Sequence, residues 1–355
     1  MRFILFRKPQ HTVLVLLFLF FLTGCVETEV NDISAEVIEE TLQTQEAEEA
    51  QVEEASNAAE TDWGNLLSSM TQGGTLTCDP ELNRAYLAVD DMLMILDDTG
   101  EFITTITITP DAENDPVSMR FLTVEDGRLY FISGSKLYSL DPAEHTGKAT
   151  QYSNTRAGWG FVQDGLLYFS AAMDDTIQYQ GLGSALPGSN VNIVAENVDT
   201  RTLQRCPVED GLYYVSLQDS CLWYVSRDGT EYKQCTALPA FSPVASGTGE
   251  VYYIGEDDAC YTLDNGDTSL FSGCAMLFAA DGGLVWFCDA DFNLWVWSEE
   301  TGTASLVYDA PVSSFQKAGY WYSLYDMENM QTVYGILADD GTLLNMEIET
   351  YAAGS

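Results

Sequence analysis

Seven times the chain returns to one short apolar and aromatic run. The runs are Ala85, Tyr86, Leu87; Leu129, Tyr130, Phe131; Leu167, Tyr168, Phe169; Leu212, Tyr213, Tyr214; Val251, Tyr252, Tyr253; Leu284 to Phe287; and Tyr320, Trp321, Tyr322. Bounded by turn residues, runs of this kind read as strands. A glycine turn stands before most of them: Asp126 with Gly127, Asp164 with Gly165, Asp210 with Gly211, Gly249, Asp281 with Gly282, and Gly319. The first unit differs, with Leu82, Asn83 and Arg84 at that place. A second turn series falls after the third strand of each unit: Asp98 to Gly100, Thr146 with Gly147, Pro187 with Gly188, Asp228 to Thr230, Asp264 to Gly266, Glu300 to Gly302, and Asp340 to Thr342. Two turn series in constant alternation, repeating every 40 to 50 residues or so, are the signature of propeller blades. A four-stranded sheet cannot cover both of its faces alone, so the units must close into a ring. The expected fold is therefore all-β, a single seven-bladed β-propeller, with six or eight as the neighbouring counts.

The aromatic strands Leu222 to Val225 and Leu294 to Trp297 are expected to fill the space between blades. If an early strand completes the last sheet, the seam lies where Gly74 to Cys78 runs beside Leu343 to Glu349. The order of Asp-Gly, Leu-Tyr-Phe or Leu-Tyr-Tyr, then a Leu-Tyr or Leu-Trp strand and an Asp-Gly-Thr turn resembles the bacterial "DUF5050" propellers, which are related to those of the low-density lipoprotein receptor-related protein. The resemblance runs from about Cys78 to the carboxyl end. It implies an extracytoplasmic bacterial lipoprotein without an established reaction.

Arg2, Arg7 and Lys8 precede an apolar run from Thr12 to Leu22, followed by Thr23, Gly24 and Cys25. This is the layout of a secretion signal, too short for a comfortable bilayer crossing. Leu22, Thr23, Gly24 and Cys25 resemble a bacterial lipobox, which implies lipidation of Cys25 on its sulfur and cleavage before it. The partner implied is a membrane held through a diacylglyceryl-type anchor, on the extracytoplasmic face of the cell membrane. Between residues 26 and 62 stand thirteen acids and no Lys, Arg, Gly, Pro or Cys. Such a segment repels itself and reads as a flexible tether with a reach on the order of 35 Å. Ile33, Val37, Ile38 and Leu42 sit at helical spacing, the alternative being a partner-induced helix. The expected domains are thus 1–24 (lipoprotein signal peptide), 25–62 (lipidated Cys25 and acidic tether) and 63–355 (propeller).

The formal net charge is −41. A nucleic-acid partner is excluded by that balance, because phosphate binding draws on Lys and Arg. Histidine is almost absent: His11 falls in the leader and His145 in an acidic turn, so a His-based nucleophilic mechanism would have to use His145, whose alternative is a solvated loop residue, and a His-rich metal site is excluded by count. Apart from Cys25 the cysteines are Cys78, Cys206, Cys221, Cys235, Cys260, Cys274 and Cys288, without a Cys-x-x-Cys pair. Buried free thiols and one or two disulfides both fit them.

Two weak site signals remain. Asp289, Asp291, Asn293 and Glu300 fall at positions one, three, five and twelve of a calcium loop, with Leu294 where that loop has Gly; calcium or a plain acidic hairpin turn both follow. Trp159, Trp223, Trp295, Trp297 and Trp321 offer either a glycan-stacking platform or packing between blades. Trp159, between Gly158 and Gly160, is the least strand-like and the ligand-binding candidate for a channel mouth. No catalytic set stands out. The leading expectation is a lipid-anchored, non-catalytic binding or assembly module for an envelope protein or glycan. The alternatives are a surface glycan-active enzyme using channel carboxylates and a sensory ectodomain that works with a membrane protein.

Overall fold

The computed structural model describes residues 74–110, 118–153, 157–171, 175–181, 192–199, 205–246, 249–263 and 268–350. The leader, Cys25 and the tether lie outside the described residues, as do the turns at Pro187 and Gly188 and at Asp264 to Gly266. Among the described residues the strands form seven antiparallel sheets in sequence order, the seven blades. Six of the sheets have four strands; blade 2 gains a fifth, Thr109–Pro110, parallel to its outer strand Lys148–Ser153.

Every aromatic run that marks the repeat lies in, or at the start of, the second strand of a sheet, between a first strand and a third. Tight hairpins make this order possible. Asp126 and Gly127 take φ of 51° and 69°, and Asp164 and Gly165 take 50° and 70°, the paired positive values that match the twist of adjoining strands. In blade 1, where glycine is missing, Asn83 occupies the left-handed region at φ 50°. Asparagine bears that conformation better than other residues with a Cβ.

First strands lie against one another around the axis, as Leu76–Asp79 does against Arg120–Glu125 and against Val312–Ala318. The core is accordingly split into layers between blades. One apolar cluster joins blades 1 and 2, others join 4 to 5, 5 to 6, 6 to 7 and 7 to 1, and the largest spans blades 2, 3 and 4. Trp297 and Val225, 5 % and 0 % exposed, sit in these layers. The expected filling of interblade space by the third strands therefore holds.

Closure of the ring differs from the expected seam. Leu76–Asp79 pairs with Arg84–Val89, and Leu343–Thr350 pairs with Gln331–Leu337, so among the described residues no strand is exchanged between first and last blades. Each of those sheets already draws four strands from contiguous sequence. Side chains make the join instead. Gln316 Oε1 accepts from the backbone N–H groups of Thr75 and Leu76, both at 2.8 Å, and Trp321 Nε1 donates to the Asp97 carbonyl at 2.7 Å.

Candidate binding groove between blades 3 and 4

In blade 4, Tyr214, Trp223 and Gln234 are cross-strand partners, and so are Leu212, Val225 and Tyr232. Partners in register share one face of a sheet, so these six side chains form the face turned to blade 3. Leu212, Tyr214 and Val225 are buried in the cluster shared with blade 3, and Trp223 packs against it in part. The outer strand of blade 3, Asn192–Ala195, is only four residues long. It covers the inner part of this face and leaves the outer part open: Tyr232 is 51 % exposed and Ile193 opposite is 53 % exposed.

The result is a groove of about 450 Å³ lined by Ile193, Glu196, Asn197, Tyr214, Ser216, Gln218, Trp223 and Tyr232. Along the same junction, Phe161, Tyr168, Val194, Leu212 and Arg227 border a slot of about 10 Å³, near the least that holds one water. Backbone bonds stitch the groove wall. Leu217 N–H donates to Asn197 C=O and Asp199 N–H to Val215 C=O, both at 2.8 Å.

The aromatic rings of the groove are held by their polar atoms. Trp223 Nε1 donates to the Asp219 carboxylate at 3.2 and 3.4 Å, and the Tyr232 hydroxyl donates across the junction to the Val194 carbonyl. Burial, then the neighbouring Tyr232 and Asp219, pushes the Tyr214 hydroxyl up to about 12; burial and Glu196 raise that of Tyr232. Both hydroxyls are therefore neutral near pH 7.

Trp159 requires a correction. It is fully buried in the first strand of blade 3, at a bulge, and its ring meets Phe161 edge-on with centroids 5.3 Å apart. Gly160 marks a close backbone approach rather than a loop. A Cβ on Gly160 would come within 2.7 Å of the Tyr168 carbonyl oxygen. Trp159 is thus a core residue and lines no channel mouth.

Asp289, Asp291, Asn293 and Glu300 occupy blade 6, the first three in the hairpin before Leu294–Ser298 and Glu300 in the turn after it. Asp289 Oδ1 accepts from the N–H groups of Asp291 and Asn293, and Oδ2 from Asn293 Nδ2 and, at 2.8 Å, from Trp295 Nε1. The same device recurs where no calcium spacing exists. Asp326 accepts from Glu328 N–H, Asn329 N–H and the Tyr308 hydroxyl, and Asp257 from Ala259 N–H and the Tyr261 hydroxyl. Among the described residues no group of three or more His, Cys, Asp or Glu side chains is placed to hold a metal ion.

The seven cysteines of the propeller are all unpaired, and all but Cys235 are buried. Burial pushes the Cys78 and Cys288 thiols up to about 12, which keeps them protonated and inert. The carboxylates carried by the described first strands are Asp79, Glu125 and Asp281. All three are engaged close by. Asp79 accepts from Glu81 and Leu82 N–H, Glu125 from Gly165 N–H of the next blade, and Asp281 pairs with Lys317 at 2.5 Å. His145 closes a short 3-10 turn in an exposed left-handed conformation.

Of the groove residues only Tyr214, in one of the repeated runs, and Trp223 stand out in the sequence. Tyr232, Glu196, Asn197 and Gln218 come from two blades and carry no local motif.

Comparison with known proteins agrees on architecture. The β-propeller domain of Cps50 (Swd1) from Myceliophteria thermophila is 10 % identical, with a TM-score of 0.52, over 75 % of this chain and 97 % of that one. YCF48, solved bound to D1 peptide, is 12 % identical with a TM-score of 0.51, over 75 % of this chain and 94 % of that one. At such identities the likeness defines a fold: the chain is a seven-bladed β-propeller. No protein-family model matches the sequence, and no curated protein does.

Proposed function

We propose that this chain is a non-catalytic binding module, anchored by lipid on Cys25 outside the cytoplasmic membrane, and that it engages an envelope component through the groove between blades 3 and 4. The observation that carries the reading is the groove itself, an aromatic-walled recess of about 450 Å³ whose rings are fixed in place. Its volume falls within the range of small-ligand sites. Propellers are rigid closed frames, which suits them to hold such a surface without spending free energy on ordering it. Against a catalytic role stands the position of the first-strand carboxylates, each of which holds a turn or a blade junction through one oxygen, although Glu125 Oε2 and Asp281 Oδ1 are buried without a partner among the described residues. The leader, the residues Leu22 to Cys25, the acidic tether and the resemblance to DUF5050 propellers support the anchored, extracytoplasmic setting.

Two experiments test the proposal. Replacing Cys25 with Ala is expected to release the protein from the membrane fraction; retention there refutes the anchor. A photo-crosslinking amino acid at Gln218, inside the groove, is expected to capture an envelope component in intact cells, whereas the same probe at Met330, exposed on blade 7, is not. Equal capture, or none at either position, refutes the groove as the binding surface.

A further inference from the structure

The geometry points to a neutral carbohydrate as the ligand of this groove, a step that rests on the groove being the binding site. The recess combines two kinds of group that a sugar ring needs. A pyranose has an apolar face of C–H bonds and a rim of hydroxyls. Trp223 and Tyr232 offer aromatic surface for the first, and Glu196, Asn197 and Gln218 offer a carboxylate and two amides for the second. Amide and carboxylate groups can each engage a pair of adjacent hydroxyls, and a site built to bond hydroxyls discriminates strongly against ligands that lack them.

The state of these groups fits that role. Trp223 is tethered at its indole nitrogen to Asp219 and Tyr232 at its hydroxyl to the Val194 carbonyl, so both rings stand ready without loss of side-chain entropy on binding. The side chains of Glu196, Asn197 and Gln218 are exposed and make no hydrogen bond among the described residues, which leaves their donors and acceptors for a ligand.

Other ligand classes fit less well. Among the described residues the lining has one charge, the Glu196 carboxylate, and no Lys or Arg, so phosphorylated, sialylated or uronic-acid ligands meet repulsion there without a compensating cation. Lys233, on the adjoining strand, projects from the opposite face of the sheet, since its partner is Tyr224 and not Trp223. A peptide adding as a strand would compete at the carbonyls of Val194 and Asn197, which already accept from Tyr232 and Leu217.

The test uses the full chain in a zwitterionic detergent, since glycoside detergents would compete. Cellohexaose, chitohexaose, mannohexaose, xylohexaose and laminarihexaose are titrated by calorimetry, with hexagalacturonate as the anionic control. At least one neutral oligosaccharide is expected to bind with a dissociation constant below about 1 mM. Trp223→Ala and Gln218→Ala are each expected to weaken it about tenfold or more. Trp295→Ala, in the third strand of blade 6, is expected to leave it unchanged. Gln218 is exposed, so its variant remains informative if Trp223→Ala fails to fold. The proposal is overturned by absence of binding to every neutral sugar, by preference for hexagalacturonate, or by equal loss in Trp295→Ala. If no sugar binds while the Gln218 crosslinker captures a protein, the carbohydrate assignment fails and the groove survives as a binding site. If neither occurs, both fail.

Discussion

The junction of blades 6 and 7 and the junction of blades 3 and 4 are built from the same repeat, yet one is sealed and the other is open. At the sealed junction Trp286, Phe315 and Tyr322 are at most 1 % exposed and stack in sequence, with centroids 5.9 and 6.3 Å apart. Trp286 Nε1 donates to the Gly341 carbonyl at 3.1 Å, and Lys317 pairs with Asp281 with both side chains 11 % exposed. At the open junction the ion pair is Arg227 with Asp164, whose side chain is 68 % exposed, and the aromatic residues Trp223 and Tyr232 face solvent in part. The difference follows from coverage. The outer strand of blade 6, Thr303–Tyr308, has six residues, whereas that of blade 3 has four. A ring can therefore keep its circumference and still open a recess, as it does between blades 3 and 4.

The ion pairs should separate the two junctions most widely. Lys317→Met leaves the Asp281 carboxylate buried without its cation and is expected to cost about 3–5 kcal/mol in urea unfolding. Arg227→Met, at the exposed pair, should cost less than about 1 kcal/mol. Equal losses would break the distinction between sealed and open. The tryptophans come next. Trp286→Phe strands the Gly341 carbonyl in a buried site and should cost about 1–3 kcal/mol, whereas Trp223→Phe should stay within about 0.5 kcal/mol.

Acid should sharpen the contrast further. Burial acts to raise the Asp326 carboxyl, but donors from Asn329, Tyr308 and Glu328 outweigh it and hold the group below its ordinary value of 3.8; Asp289 is lowered in the same way by Trp295, Asn293 and Asp291. A depressed folded-state pKa contributes stability that is fully present above the ordinary value and is lost as pH falls through the folded one. Asp326 also accepts the Tyr308 hydroxyl of blade 6 at 2.8 Å. Hydrogen-exchange protection, taken relative to the intrinsic rate at each pH, is thus expected to fall below pH 4 at the junction of blades 6 and 7, and less so in Asp326→Asn. An unchanged acid profile in that variant would count against this link. The smallest effect concerns thiols: Cys235, half-buried at the outer edge of blade 4, should react with iodoacetamide at least about tenfold faster than Cys288 in the core between blades 6 and 7, with no loss of stability.

Most of the fold was legible because its signals are local. The turn before the second strand uses a positive φ in every blade but the fourth, and even the irregular first unit obeys, through Asn83. The groove was not legible, since Glu196 and Asn197 meet Trp223 and Tyr232 only when blade 3 docks on blade 4. Trp159 misled for a related reason. Glycine neighbours announce either a loop or a tight approach, and only the packed position of the Tyr168 carbonyl distinguishes them.

By itself the amino-acid order determined the repeat, the turns and the number of sheets, because each depends on φ, hydrophobic alternation and spacing within about forty residues. Only the folded ring decided how the first and last blades join, which acids are engaged in turns and junctions, and where the wall between blades stays open. Those outcomes depend on side chains far apart in the chain, brought together when each sheet covers the face of the next.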